Sequence, residues 1–304
     1  MIPPTAIQDS PGSFWQDIVG AYERALDAGA AYKTDTNTEL YTDPQHGIEF
    51  VLRVAAALRD KPKPPKDSSQ DSKQRNPFLP YEEALWVRHL SRTHTLLLNK
   101  FNVVAHHLIC VTREFEQQTE PLNAADLEAT WTAMQAFPKG ALAYFNCGGE
   151  AGASQPHKHT QIVPLPLADS SSCAGSPFEG TVLEACQQAG AQEARAVPLR
   201  SLPYQCYAAV LGDSTSGAAL AETFRELRAA FQGKVEDSKR VPYNVILTGK
   251  FMMVVPRSQE SWGPVSVNSM GFAGSLFVRS QAELDYIKEE GAMTVLSMVG
   301  LPWS

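Results

Sequence analysis

The spacing of apolar residues predicts that the chain begins with a helix followed by a strand. Phe14, Ile18 and Tyr22 recur at helical intervals, and we place a helix in residues 13–30 on that pattern. Apolar and polar side chains then alternate in residues 47–53, which is typical of a half-buried strand. The N-terminal part of the chain therefore combines both kinds of element.

Two strands, a helix and a further strand are predicted in the middle of the chain. Residues 95–99 and 107–112 are apolar runs joined by a short connector, and they predict neighbouring strands. Such a run also fits a buried helix segment, but the β-branched residues nearby favour strands. Asn123 then opens a helix, and residues 141–145 return as a strand.

The C-terminal third continues the same alternation. Residues 204–211 predict a strand, residues 220–231 an amphipathic helix, and residues 243–256 a hairpin that turns at a Gly-Lys pair. A strand in residues 276–279 precedes a helix capped by Ser280. This order predicts an α+β fold with a mainly antiparallel sheet, flanked by helices and extended by the C-terminal portion.

Two polar segments interrupt these elements. Residues 60–76 are proline-broken and lack apolar anchors, which predicts a flexible loop, and composition alone favours a solvated basic linker. Residues 168–180 are small and polar and mark a second loop or a subdomain boundary. We therefore expect a catalytic portion in residues 1–167 and, within one compact unit, a portion in 168–304 that completes the sheet and the site.

Composition narrows the classes of function. The chain has 304 residues, of which 43% are hydrophobic, and a net charge of −7, so a full core is expected and general nucleic-acid or membrane-surface binding is not. The five cysteines form no CxxC pair, which argues against a zinc site or a disulfide framework. The N-terminus shows no leader pattern, and no apolar run has membrane-spanning length. A cytoplasmic location is expected.

The candidate chemistry lies in residues 146–166, where Asn146 and a glycine-rich turn precede His157, His159 and Gln161. On a strand, side chains two residues apart share a face, so these three would line one surface. Alternating histidines can be metal ligands or can be structural. They can also attack phosphorus, because a neutral imidazole is nucleophilic near pH 7. The glycines favour the last interpretation, since they let backbone N–H groups approach anionic oxygens.

This motif resembles the alternating histidines of the histidine-triad superfamily. More closely, GASQPHKHTQ in residues 152–161 resembles the diadenosine tetraphosphate phosphorylases, also called ATP adenylyltransferases. Four further blocks resemble the same family: LLLNKFNVV (96–104), HHLICVTREF (106–115), MMVVPRS (252–258) and VNSMGFAG (267–274). The resemblance implies a histidine-triad-like fold and extends from about residue 47 to 280.

The resemblance also implies a reaction in which diadenosine tetraphosphate and phosphate are converted reversibly into ATP and ADP. His159 matches the nucleophile that carries AMP covalently, and His157 would orient and polarise the site. Gln161 stands where the triad has its third histidine. An amide can donate to phosphoryl oxygens but cannot act as a base toward water, which favours transfer to phosphate. Uridylyltransferases of the GalT type have proline at the position of Lys158, which disfavours that branch.

Further residues are expected to bind the substrate, partly as donors to phosphate oxygens and partly by family position. They are Lys61, Lys100, Asn146, Gly152, Ala153, Ser154, Gln155, Asn268, Ser269, Met270, Ser275 and Arg279. The partners implied are dinucleoside polyphosphates, ATP, ADP and inorganic phosphate. Mg²⁺ is expected as a counter-ion on the polyphosphate and not as a metal held by the protein.

Two other functions fit part of this pattern. One is a dinucleoside polyphosphate hydrolase or a sugar-nucleotide phosphorylase on the same scaffold. The other is a regulator that binds dinucleotides without turnover. Phosphate dependence separates the enzymes from one another, and the effect of His159→Ala separates an enzyme from a regulator. Base preference, the dominant direction of the reaction and the oligomeric state are left open by the sequence.

Overall fold

The computed structural model describes residues 11–55, 76–169, 173–212, 215–232 and 241–303. Within these residues the helices and strands form one large antiparallel sheet, three small sheets and helices packed on both faces of the large sheet. This arrangement confirms the predicted α+β fold.

The helices in the described ranges are α1 (Pro11–Asp27), α2 (Ala124–Met134), α3 (Glu179–Gln188), α4 (Gly217–Gln232), α5 (Ser269–Phe272), α6 (Gln281–Glu290) and α7 (Ala292–Val299). The predicted start of α2 is confirmed. The side chain of Asn123 accepts the N–H groups of Ala125 and Asp126, and the Asp126 carboxylate accepts the N–H of Asn123, which forms a reciprocal cap. Among the described residues, none of the helices has the length and apolar character needed to span a bilayer.

The strands in chain order are β1 (Tyr32–Lys33), β2 (Thr36–Thr42), β3 (Glu49–Ala55), β4 (Trp86–His89), β5 (His94–Leu98), β6 (Phe101–Asn102), β7 (Leu108–Thr112), β8 (Ala141–Cys147), β9 (His159–Pro164), β10 (Val197–Pro198), β11 (Tyr207–Val210), β12 (Tyr243–Leu247), β13 (Phe251–Pro256), β14 (Ser261–Trp262), β15 (Val265–Ser266) and β16 (Ser275–Val278).

The large sheet contains nine strands in the order β10-β11-β13-β12-β8-β9-β7-β5-β4, and all neighbours are antiparallel. Strand β8 pairs with both β9 and β12, so the C-terminal strands continue the sheet that the N-terminal strands begin. The extension of the sheet by the C-terminal portion is therefore confirmed. The predicted division at residues 167 and 168 stays a prediction.

Three small sheets complete the architecture. Strand β16 pairs in parallel with β3, and β3 pairs antiparallel with β2. Strands β1 and β6 form a short parallel pair, and β14 and β15 a short antiparallel one. The parallel β16–β3 pair brings Ser275 beside Val51, so the C-terminal strand lies next to the predicted strand in residues 47–53.

Alternation along the strands divides the core between the two faces of the large sheet. In β12, Val245 and Leu247 belong to the cluster that contains residues of α1, α2 and α4, whereas Ile246 belongs to the cluster that contains residues of α3, α6 and α7. A smaller cluster on the second face joins Phe78 to Ile109 and its neighbours. The candidate site lies on this second face, between the C-terminal elements and the segment around Phe78.

Candidate active site

The glycine-rich turn between β8 and β9 brings the backbone close to α5. Gly148 and Gly152 have φ angles of 96° and 83°, a region that side chains disfavour. A Cβ at Gly152 would lie 2.8 Å from the Cβ of Asn268, so only glycine fits without displacement. The turn and Asn268 therefore form one wall of the smaller cavity described below.

His159 begins β9 and is 5% exposed. Its Nδ1 lies 2.7 Å from the backbone carbonyl of His157, to which it donates, so Nε2 carries the free lone pair. Burial lowers the pKa of His159 to about 4. The imidazole is therefore neutral near pH 7, with one fixed tautomer and a nucleophilic nitrogen.

His157 contributes to the site through its backbone. Its imidazole lies between other protein groups: Asn76 donates to Nδ1 at 3.0 Å, and Nε2 is 3.0 Å from Thr112 Oγ1 and 3.1 Å from the carbonyl of Glu114. Burial lowers the pKa of His157 as well. Because both ring nitrogens have protein partners, the carbonyl that accepts from His159 is the group that supports the nucleophile.

Gln161 is held in one orientation by two residues, one of which is itself fixed by a third. Its Oε1 accepts from the Tyr144 hydroxyl at 2.8 Å and from His107 Nε2 at 3.0 Å. Asn99 donates to His107 Nδ1 at 2.9 Å, which leaves the proton of His107 on Nε2, and burial lowers the pKa of His107 to about 4. The carboxamide oxygen of Gln161 is thus occupied, and its NH₂ group is left to donate to a ligand.

Two adjoining cavities lie along this surface. The smaller, of about 330 Å³, lies against the turn and α5, and the larger, of about 650 Å³, lies against His159 and Phe78. They share Asn99, Phe101, Ser154 and Gln161 as lining residues. Both volumes lie within the range of ordinary ligand sites, and together the cavities provide room on both sides of the shared wall.

The structure brings most of the predicted site residues to these cavities. The smaller is lined by Asn146, Gly152, Ser154, Gln161, Asn268, Met270, Ser275 and Arg279, and the larger by Lys100, Ser154, Gln155, His159 and Gln161. Three predicted residues, His157, Ala153 and Ser269, line neither cavity. Lys61 and residues 60–75 of the predicted flexible loop lie outside the described residues.

Ser269 acts behind the cavity wall. Its hydroxyl donates to Asn146 Oδ1 at 2.6 Å, and Asn244 Nδ2 donates to the same oxygen at 2.9 Å. Asn244 is in turn held by the buried Arg257, whose Nη1 is 2.5 Å from Asn244 Oδ1. With Asn146 Oδ1 occupied, its NH₂ group is left to donate into the smaller cavity.

Lys158, which lies between the two histidines, belongs to a cluster of ion pairs with α2 and its neighbours. Lys158 Nζ is 2.6 Å from Asp126 Oδ2 and 3.2 Å from Glu116 Oε2, and His94 Nε2 is 2.9 Å from Asp126 Oδ1. Burial acts to raise the pKa of Asp126, but the hydrogen bonds from His94, Lys158 and the Asn123 backbone, with the charge of Lys158, together lower it. The cluster ties the segment between His157 and His159 to the N-terminus of α2.

Several residues that line the cavities were not predicted as site residues, and three of them have side chains suited to binding a nucleotide. Arg53, on β3, lines the smaller one, and burial lowers its pKa. His107, which the sequence pattern places only in a strand, lines it too. Phe101 lines both cavities and is 62% exposed. A nucleotide base needs an apolar slot, and the sequence does not distinguish Phe101 from Phe50 and Phe145, which are buried in the core. A charged residue among the apolar residues of β3 was a usable signal for Arg53, but the exposure of Phe101 depends on tertiary structure.

A neutral, anchored histidine beside a glycine-rich turn, with two adjoining cavities on the same face of an antiparallel sheet, is the arrangement expected of a nucleotidyltransferase of the histidine-triad type. The chain belongs to the Ap4A phosphorylase family. The model of the Ap4A phosphorylase N-terminal domain matches residues 4–182, and that of the ATP adenylyltransferase C-terminal domain matches residues 200–302.

Relatives in yeast agree with this assignment. The chain is 29% identical to diadenosine 5',5'''-P1,P4-tetraphosphate phosphorylase 2 of Saccharomyces cerevisiae over 307 residues, which cover 90% of each chain. The crystal structure of yeast Ap4A phosphorylase Apa2 in complex with Ap4A superposes with a TM-score of 0.78 at 25% identity and covers 95% of this chain and 98% of Apa2. The Apa2 complex with AMP gives a TM-score of 0.77 at 25% identity, covering 97% and 98%.

Proposed function

We propose that this chain catalyses the reversible phosphorolysis of diadenosine tetraphosphate (Ap4A) to ATP and ADP through a covalent AMP adduct on His159. The observation that carries the proposal is the state of His159, whose Nε2 lone pair is free and whose Nδ1–H is anchored to a backbone carbonyl. Family membership and the Ap4A and AMP complexes of Apa2 support the substrate.

In the first half-reaction, His159 Nε2 attacks the α-phosphorus of one adenosine half. An N–P bond forms, and the P–O bond to the bridging oxygen breaks and releases ATP with the electron pair. The adduct places a positive charge on the imidazole, which the His157 carbonyl stabilises through Nδ1–H. The NH₂ group of Gln161 donates to the phosphoryl oxygens, on which negative charge accumulates.

In the second half-reaction, an oxygen of inorganic phosphate attacks the same phosphorus. The N–P bond breaks, ADP leaves, and the lone pair of His159 is restored. Gln161 is important here because an amide cannot remove a proton from water near pH 7. His107 and Tyr144 hold the amide in its donating orientation. The adduct is thus protected from hydrolysis until phosphate arrives.

We also propose that each of the two cavities binds one end of the dinucleotide substrate. A dinucleotide has a nucleoside at each end of its phosphate chain, and cavities on both sides of the Ser154 and Gln161 wall suit that shape. Asn146, Asn268 and Arg279 supply donors on the smaller side. Phe101 offers an exposed ring at the shared mouth, stacked on Tyr32 at 5.8 Å.

We propose that Mg²⁺ enters the site bound to the polyphosphate of the substrate. In the part of the chain that the structure describes, no group of three or more His, Cys, Asp or Glu side chains is placed to hold a metal ion. The donors around His159 are amides, hydroxyls and backbone groups, which suit phosphate oxygens more than a divalent cation. Bound to the substrate, the ion would neutralise part of the phosphate charge.

A phosphate-dependence assay tests the proposal. Enzyme, Mg²⁺ and Ap4A are incubated with and without inorganic phosphate, and the nucleotides are separated by anion-exchange chromatography. We expect ATP and ADP in equal amounts with phosphate, and at most one equivalent of ATP per enzyme without it. Continued release of AMP and ATP without phosphate would show a hydrolase instead.

A further inference from the structure

The ladder between β8 and β9 stops just before the nucleophile. Regular pairing runs from Ala141 and Pro164 to Tyr144 and Gln161. Two residues further in the same register, Asn146 would face His159, but this pair is absent from the ladder. Strand β8 nevertheless continues to Cys147 beside β12. A gap therefore opens between two central strands at the position of His159.

The side chain of Gln118 fills this gap. Its Oε1 accepts the backbone N–H of His159 at 2.8 Å, and its Nε2 donates to the carbonyls of His159 at 3.2 Å and of Asn146 at 2.9 Å. The Gln118 backbone is anchored as well, because its N–H donates to the carbonyl of Pro156 at 2.8 Å. The carboxamide thus takes the hydrogen bonds that a paired strand would make.

The geometry points to Gln118 as a positioning residue for the nucleophile. We infer that it fixes the backbone of His159 and holds β8 and β9 apart, so that Asn146 and His159 face adjoining cavities instead of pairing with each other. Gln118 is 3% exposed and lines neither cavity, so it acts through His159 and does not contact the substrate. This inference rests on the proposed role of His159.

Only a carboxamide satisfies all three contacts at position 118. One oxygen accepts from His159 N–H, and one NH₂ group serves two carbonyls. In Gln118→Glu a carboxylate of nearly the same shape would face those carbonyls without a donor. Once protonated, its O–H could donate to one of them. Gln118→Met keeps the length of the side chain and loses every hydrogen bond at any pH.

The test is the rate of ATP release in the first half-reaction, measured by rapid quench without phosphate at pH 7.5 and 5.5. At pH 7.5 we expect Gln118→Glu and Gln118→Met to lose about a hundredfold in this rate, since a displacement near 1 Å has that effect. The Ap4A concentration that gives half of the maximal rate should stay within about twofold. At pH 5.5 Gln118→Glu should recover at least about tenfold and Gln118→Met should not. The exposed neighbour Gln117, changed to Glu and Met, is the control and should show neither effect.

Three outcomes would overturn the inference: unchanged rates in both Gln118 variants, a rise in the half-saturating Ap4A concentration with the maximal rate unchanged, or equal recovery of both variants at low pH. Ap4A binding by calorimetry shows whether each variant is folded. If neither folds, Gln118→Asn, which keeps the amide one methylene shorter, must show the same loss of rate. Failure of the proposed function is distinguishable, because wild-type enzyme would then form no AMP adduct at all.

Discussion

The burial of His159 predicts that the rate of the first half-reaction is nearly independent of pH between 7.5 and 5.5. The nucleophile must be neutral, and burial lowers its pKa to about 4 from the usual 6.5. His107, which orients Gln161, has its pKa lowered to about 4 by the same cause. Both imidazoles therefore stay uncharged in the pH range where an exposed histidine gains a proton.

Between pH 7.5 and 5.5, a buried His159 and an ordinary histidine predict very different rates of adduct formation. With a pKa of about 4, His159 is still about 97% neutral at pH 5.5, so the rate of adduct formation should change by only a few per cent. An ordinary histidine would be about 9% neutral at pH 5.5, and the rate would fall about tenfold. Ap4A has no terminal phosphate, so its own charge changes little in this window.

Stability must be checked over the same window. Folding lowers the pKa values of His107 and His159, so protonation of these residues favours the unfolded chain. The stability that depends on their neutral forms is fully present above pH 6.5 and is lost as pH falls through about 4. From pH 7.5 to 5.5 the loss is about 1.4 kcal/mol for each histidine, or about 3 kcal/mol in all. A domain with about 5–15 kcal/mol of stability remains folded after that loss.

The assay is a rapid-quench measurement of ATP release in the absence of phosphate, at saturating Ap4A, with circular dichroism recorded at each pH. We expect a nearly flat profile from pH 7.5 to 5.5. A tenfold loss centred near pH 6.5 in a protein that remains folded would refute the assignment of a buried, neutral His159 as nucleophile.

Three further predictions concern neighbouring residues. Gln161→His restores a base beside the adduct and should raise the rate of AMP release without phosphate at least about tenfold, measured by chromatography. An unchanged rate would contradict the role given to the amide. Phe101→Ala removes the exposed ring at the shared mouth of the cavities. It should raise the KM for Ap4A about tenfold with kcat nearly unchanged, because base stacking contributes about 1–3 kcal/mol. A fall in kcat alone would argue against stacking. Lys158→Met leaves Asp126 short of a partner and should lower the free energy of unfolding by about 3–5 kcal/mol in urea. Lys100→Met, which breaks an exposed ion pair, should cost less than about 1 kcal/mol, and equal losses would contradict the buried-cluster account.

The parts of the fold that sequence predicts best are those with local signals. The cap at Asn123, the hairpin of β12 and β13 and the strands β5 and β7 each carry their pattern within a few residues. Helix α7 was missed because it is only eight residues long and strongly apolar, and a short apolar run does not by itself distinguish a helix from a buried strand. Strand β2 was missed because it is polar and half exposed at the edge of its sheet.

In the site too, features with a local sequence signal can be predicted, and contacts between distant segments cannot. His159 and Gln161 share a face because they lie two apart on β9, which the sequence predicts. The partners that orient them come from distant segments: Gln118 is 41 residues from His159, and His107 is 54 residues from Gln161. No local pattern specifies such contacts. For the same reason, the role of the His157 carbonyl was visible only in the folded chain.

The most direct test of the account is intact-mass analysis of the enzyme after brief mixing with Ap4A and Mg²⁺ in the absence of phosphate. We predict one added AMP per chain, mapped to His159 by peptide analysis, absent in His159→Ala and removed with formation of ADP when phosphate is added. An enzyme that turns over Ap4A with phosphate but carries no AMP, or a His159→Ala variant that still carries it, would contradict the central claim.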